Sequence, residues 1–278
     1  MDIQIRGGLA EARALAGEHK GALAAYVVMG VVFPFLLLSS EPIFNLRTVM
    51  SMIVSPYAAY VSGSIAGPLY LLGIVAVVAA GAMLAAWNAL LAEIREGYVS
   101  EIMYGMVAGA GFLVANIIVY VGTGLLAVLP IMTTIGIAEW NSLGGGAVSA
   151  AYRLALSLFG TWIGARLCLT GAIMGAGNRL EPFSAMAESW RLTREAQGRL
   201  FAFYFVYGLI VAAAFGGLVL LHGAVIWNNA QAPGTVLETA MSFGWVLLFA
   251  AYFLGQILFA AGFLRSARPA AGPAEIFA

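Results

Sequence analysis

Apolar residues in this chain come in runs of about twenty, and the polar residues gather in the short breaks between them. Six runs stand out, at residues 21–39, 68–92, 104–131, 147–172, 201–226 and 242–264. A helix needs about 20 apolar residues to cross a bilayer, so each run predicts one transmembrane helix. A β-barrel would show segments of about ten residues with alternating polarity, and no such segments occur. The pattern therefore predicts an all-α fold: a polytopic helical bundle forming one integral membrane domain over residues 1–278.

The breaks carry their own patterns. Residues 3–19 place Ile3, Ile5, Leu9, Leu15 and Ala16 among Arg6, Glu11, Arg13 and Glu18, which fits either a short interfacial helix or a solvated tail. Pro34 near the outer end of the first run predicts a kink. Residues 49–60 are apolar but too short to cross, and predict an interfacial or re-entrant helix on the outer side, with Tyr57 and Tyr60 at headgroup depth. Residues 133–146 predict a flexible connector with an interfacial Trp140. In residues 181–198, Phe183, Met186, Ala187, Trp190 and Thr193 recur at helical spacing beside charged residues. This predicts an amphipathic helix on the inner leaflet, bracing the fourth span against the fifth. Glu188/Arg191 and Arg191/Glu195 have the spacing of ion pairs on one helix. Residues 266–278, rich in Ala, Pro and Gly, predict a disordered tail.

Composition sharpens the class. Charged residues make up 9% of the chain and apolar residues 62%, against about 25% charged in a soluble domain. Net charge is zero, which argues against nucleic acid as a partner. The single Cys168 excludes an intramolecular disulfide and a cysteine-rich metal site. His19 and His222 are far apart, with no metal-binding spacing. The first run lacks a clean cleavage pattern after it and is read as a retained span.

Basic residues set the threading. With six spans and an inner N-terminus, ten of the 13 Lys and Arg residues fall on inner segments, Arg47 alone falls on an outer one, and Arg153 and Arg166 lie within the fourth span. Both termini are expected inside, in a bacterial inner membrane.

The fourth span carries the candidate chemistry. At 100° per residue, Gly160, Gly164, Gly171 and Gly175 share one face with Arg153 and Ser157, and Arg166 lies on another. Small residues stacked in this way let a second helix approach closely, or line a cavity with backbone. A charge at the centre of a span costs about 2.5–3.5 kcal/mol, and near an end it is relieved by snorkelling. Arg153 therefore either pairs with Glu41, Glu139 or Glu238 or binds a substrate; Arg166 either snorkels to lipid phosphate or faces a cavity. His222 reads as a hydrogen-bonded or interfacial side chain, and Gln256 as a contact joining two helices. No Ser or Thr has a base placed near it, so there is no support for nucleophilic catalysis. No cofactor or metal is implied.

Residues 152–205 resemble a bacterial membrane family. It comprises the membrane domain attached to some glycerophosphodiester phosphodiesterases and the free-standing six-helix inner-membrane proteins of the YciC type. The shared pattern is Arg166-Leu167 near the end of one span, then Phe183, Ala187 and the core Ser189-Trp190-Arg191-Leu192-Thr193, then Arg199 before the next span. The resemblance implies six spans and no catalytic residues, because the phosphodiesterase site belongs to a separate soluble domain. The expected function is non-enzymatic: an accessory or scaffold in envelope or lipid homeostasis, with the bilayer, specific lipids or other membrane-complex subunits as partners. The alternative is a transporter or lipid-handling protein that uses Arg153 and Arg166.

Overall fold

A computed structural model describes residues 3–41, 44, 46, 49–50, 69–95, 97–135, 147–228 and 235–267. All regular structure among them is helical: α1 (Ile5–Glu18), α2 (Lys20–Val27), a π-helical turn (Val28–Val32), α3 (Phe33–Ser39), α4 (Leu69–Leu91), α5 (Tyr98–Ile135), α6 (Ala147–Leu167), α7 (Thr170–Ala176), α8 (Pro182–Leu192), α9 (Gln197–Asn228) and α10 (Val236–Ala267). Six stretches are long and apolar enough to cross a membrane: Lys20–Ser39, Tyr70–Leu91, Tyr98–Leu129, Ala150–Ala176, Gln197–Asn228 and Val236–Ala267. The fold is that of a multi-pass helical membrane protein. Residues 51–60 of the expected helix over 49–60, the connector around Trp140 and the tail beyond residue 267 lie outside the described residues.

Several helices run past their apolar cores. The third begins at Tyr98 and the sixth at Val236, and each takes a glutamate into its first turn, Glu101 and Glu238. Carboxylates suit a helix N-terminus, where the backbone N–H groups are unpaired. The sixth helix ends at Ala267, two residues into the expected tail. In the first span the anticipated disturbance at Pro34 takes the form of the π-helical turn just before it. Proline removes a donor and crowds the carbonyl four residues back, here Gly30, and the wider turn accommodates both effects.

Glycines set the closest helix contacts. A Cβ on Gly109 would sit 2.7 Å from the backbone nitrogen of Gly81, and one on Gly105 would sit 3.0 Å from that of Ala85. Gly105 and Gly109, four apart, thus form the seam between α4 and α5. Gly262 of α10 meets α1, where its Cβ would lie 2.8 Å from the Ala12 nitrogen. α1 is therefore a helix docked on the end of the sixth span. Ile3, Ala12 and Leu15 are buried there, and Arg265 bridges to Glu11 at 3.1 Å and Glu18 at 3.7 Å.

Candidate functional site

The fourth span is two helices, α6 and α7, with a break at Cys168 and Leu169. A break frees backbone groups that hydrocarbon cannot satisfy, so they need partners inside the protein. α8 supplies them. The Ser189 hydroxyl donates to the Arg166 carbonyl at 2.9 Å and accepts from the Leu169 N–H at 3.3 Å. Thr193 Oγ1 lies 3.1 Å from the same carbonyl and 2.8 Å from the Ser189 carbonyl, and its single proton serves one of them at a time. Both side chains are fully buried. Ser189 and Thr193, four residues apart, point the same way from a helix. Trp190 is turned 100° from Ser189 and sets its ring 4.4 Å from the Arg166 guanidinium. The two halves of the sequence pattern, Arg166-Leu167 and Ser189 to Thr193, are thus one contact.

α8 is placed from both ends. Its N-cap is Glu181, whose carboxylate accepts from the Phe183 N–H at 2.8 Å and the Ser184 N–H at 2.7 Å, with Pro182 in the first turn. These bonds, led by the Ser184 hydroxyl, hold the Glu181 carboxyl below the usual carboxylate range. α7 closes through Asn178, at φ 51°, with the Arg179 N–H reaching back to the Met174 carbonyl at 3.0 Å. Asn88 of α4 donates to the Gly175 carbonyl at 2.9 Å and to Asn178 Oδ1 at 2.6 Å, locking that turn to the second span.

The apolar stripe of α8 divides between two sides of the helix. Ala185, Met186, Ser189 and Thr193 are buried against the bundle, whereas Phe183 is 51% exposed and Trp190 38%. The hydroxyls sit inward because the break in the fourth span must be bonded, and this rotates the aromatics outward. The helix also ends at Leu192, with Thr193 as its C-cap, so Arg191 and Glu195 do not share one helix. Glu188 pairs with Arg179 at 2.6 Å. Arg191 lines a surface groove with Arg179, Ser184, Ala187 and Glu188.

The glycine face divides into two parts. Gly171 and Gly175 take the Trp87 side chain against the backbone, and a Cβ on Gly175 would lie 2.6 Å from Trp87 Cβ. Trp87 also donates to the Ile257 carbonyl at 2.9 Å, so it pins the second, fourth and sixth spans together. Gly164 faces the Tyr120 hydroxyl, 3.2 Å from where its Cβ would be, and Gly160 faces open space. Gly164 and Gly171 border a partly open cavity of about 290 Å³ lined by spans two to six. Its walls carry Asn116, Tyr120, Tyr204, Tyr207, Tyr252 and Gln256, and no ionised side chain. The Tyr207 hydroxyl donates to the Tyr252 carbonyl at 3.3 Å.

Neither arginine lines the cavity. Arg166 points from the opposite side of α6, and Arg153 is exposed near the far end of that helix. Arg166 is only 3% exposed, and its Nε and Nη1 atoms have no hydrogen-bond partner. No carboxylate among the described residues forms an ion pair with it.

The polar cluster at Glu101 escaped the sequence reading, whereas a hydrogen bond at His222 was expected. Glu101 is fully buried, accepting from the Tyr26 hydroxyl and from Arg95 Nε at 2.6 Å. That hydrogen bond raises the affinity of Arg95 for its proton. His222 is buried and accepts from Trp245 Nε1 at 2.9 Å through Nδ1, which leaves the ring proton on Nε2. The signal for Glu101 was its place three residues into a helix that starts in the loop.

Comparisons with protein-family models, curated proteins and solved structures return no match.

Proposed function

We propose that this chain is a lipid-handling protein of a bacterial inner membrane, with both termini cytoplasmic, whose central cavity holds the head of an uncharged amphiphile. The observation that carries this reading is the cavity wall. Seven hydroxyl and amide side chains, Thr161 among them, line about 290 Å³ inside an otherwise apolar bundle. Polar groups in hydrocarbon are expensive and mark ligand paths or each other's partners. Tyrosine, asparagine and glutamine both donate and accept, which suits hydroxyl and ester oxygens. An ionised head would lack a counter-charge there. The ten-to-one bias of basic residues supports the threading. The contact between Arg166-Leu167 and Ser189 to Thr193 supports kinship with the YciC-type proteins, since a pattern whose two parts touch is one that a shared fold would keep together. The cavity wall offers no carboxylate or imidazole, which supports a binding role over a catalytic one.

Native mass spectrometry of protein released in mild detergent tests this reading. The wild type should retain a neutral lipid of diacylglycerol type, and Gly208→Leu should lose it with its helical circular dichroism intact, because Gly208 borders the cavity and has open space around it. A wild type that carries no neutral lipid and gains no stability from added diacylglycerol overturns the proposal.

A second reading, as an accessory subunit, is favoured by the third span, of whose most apolar stretch only 6% is buried within the protein. It requires a stoichiometric protein partner in the same mild-detergent preparation.

A further inference from the structure

On α6, Phe159, Trp162 and Arg166 fall within 60° of one another and about 180° from the cavity-lining glycines at 100° per residue. The Trp190 ring meets Trp162 edge-on at a centroid distance of 5.3 Å, and Trp162 stacks on Phe159 at 6.1 Å. An aromatic ladder thus runs along the outward face of the fourth span and ends at a guanidinium. Phe159 at 40% and Trp190 at 38% leave the ladder open to the surroundings.

The guanidinium at its foot is chemically incomplete. Its face is covered by Trp190, and Nε and Nη1 are sealed from solvent without an acceptor. These are the only such side-chain nitrogens among the described residues. Nη2 is not among the sealed atoms. The charged group that acts most on Arg166 is another cation, Arg194, in the turn after α8. A buried donor left unpaired is costly, more so when charged, and the planar fork of arginine matches two oxygens of a phosphate. Stacking on an aromatic ring fixes the plane of that fork and leaves its edge to the ligand.

We infer that Arg166 and Trp190 form a phosphate site for a phospholipid lying along the fourth span, with the headgroup on the guanidinium edge and an acyl chain against Trp162 and Phe159. The phosphate meets the open Nη2 edge and supplies the counter-charge. The ladder supplies apolar contact that a soluble phosphate cannot use. This site is separate from the central cavity, and neither depends on the other.

The test is thermal unfolding of the full chain in a neutral detergent. The probes, added separately, are phosphatidylglycerol, a phosphate-free glycosyl diacylglycerol and inorganic phosphate. The phospholipid should raise the midpoint by several degrees and the glycolipid by much less. Arg166→Met should unfold at a higher temperature than wild type without lipid, because an unpaired buried cation is gone, and should lose the phospholipid increment. Trp162→Leu should weaken the phospholipid effect. An equal gain from inorganic phosphate, insensitive to Trp162→Leu, would assign the site to a soluble phosphate and overturn the lipid assignment. Equal gains from phospholipid and glycolipid in the wild type overturn the phosphate site altogether, and that arm does not require the variants to fold.

Discussion

Ser189 donates its hydroxyl proton to the carbonyl of Arg166, 23 residues earlier in the chain, across 2.9 Å. The same oxygen accepts from the Leu169 N–H at 3.3 Å, so one side chain spans both edges of the break in the fourth span.

Ser189→Ala removes both bonds. Each orphaned buried group costs about 1–3 kcal/mol. Thr193 can still turn its proton to the Arg166 carbonyl, so the loss should stay near the low end of that range. Thr193→Val alone should cost less, because Ser189 keeps the carbonyl. The double variant should lose more than the sum, as the two hydroxyls are alternative donors to one acceptor. Thermal unfolding in detergent, run as a double-mutant cycle, reads this coupling; strict additivity would show that the hydroxyls act independently.

Gly175→Ala and Gly160→Ala separate the two halves of the glycine face. At 175 the added methyl meets Trp87 Cβ at 2.6 Å and the Asn88 nitrogen at 2.8 Å, where backbone cannot yield cheaply. Overpacking of this kind costs about 1–3 kcal/mol. At 160 nothing lies within 4 Å, and the helix gains about 0.5–1 kcal/mol from losing a glycine. The two variants should move the unfolding midpoint in opposite directions.

Tyr26→Phe removes a donor from a carboxylate that is fully buried. Arg95 remains on Glu101, yet one oxygen loses a short bond, and a cost of about 1–3 kcal/mol follows. Glu101→Leu removes the charge as well as the acceptor and leaves Arg95, 39% exposed, to water. Glu101→Leu also orphans the buried Tyr26 hydroxyl, so Tyr26→Phe should be neutral or stabilising in a Glu101→Leu background, and stability measured on all four proteins checks this.

Glu181 sets an acid limit on α8. Its carboxyl is held below the ordinary value of about 4.3. A depressed value means that the folded state binds its proton less readily than the unfolded chain. The stabilisation is complete above the ordinary carboxylate range and disappears as pH falls through the folded value. Hydrogen exchange at the Phe183 and Ser184 amides, corrected for intrinsic rate, should accelerate on acidification below pH 4. In Glu181→Gln that pH dependence should vanish.

The spans were legible because a run of about twenty apolar residues has few other uses. Their ends were not, since helix formation continues through Glu101 and Glu238 once each finds a place in a first turn. The glycine face of the fourth span was legible as a face, but periodicity cannot tell which glycines meet a tryptophan and which meet space. The seam at Gly105 and Gly109 was written as a four-residue spacing and passed over in a run where nearly every position is small or apolar. For α8, spacing identified an apolar stripe but not which of its residues turn to the bundle. Ser189 and Thr193 decide that orientation by hydrogen bonding to a carbonyl in another helix, and hydrophobic pattern carries no trace of such a bond.

The clasp also imposes an order of events during synthesis. The carbonyl of Arg166 leaves the ribosome 23 residues before the hydroxyl that binds it. Until α8 follows, the fourth span enters the bilayer with an open backbone group at its break, and an uncapped group in hydrocarbon disfavours a settled position. The fourth span is therefore finished by its successor: the backbone groups at its break gain these partners only once α8 has folded back on it.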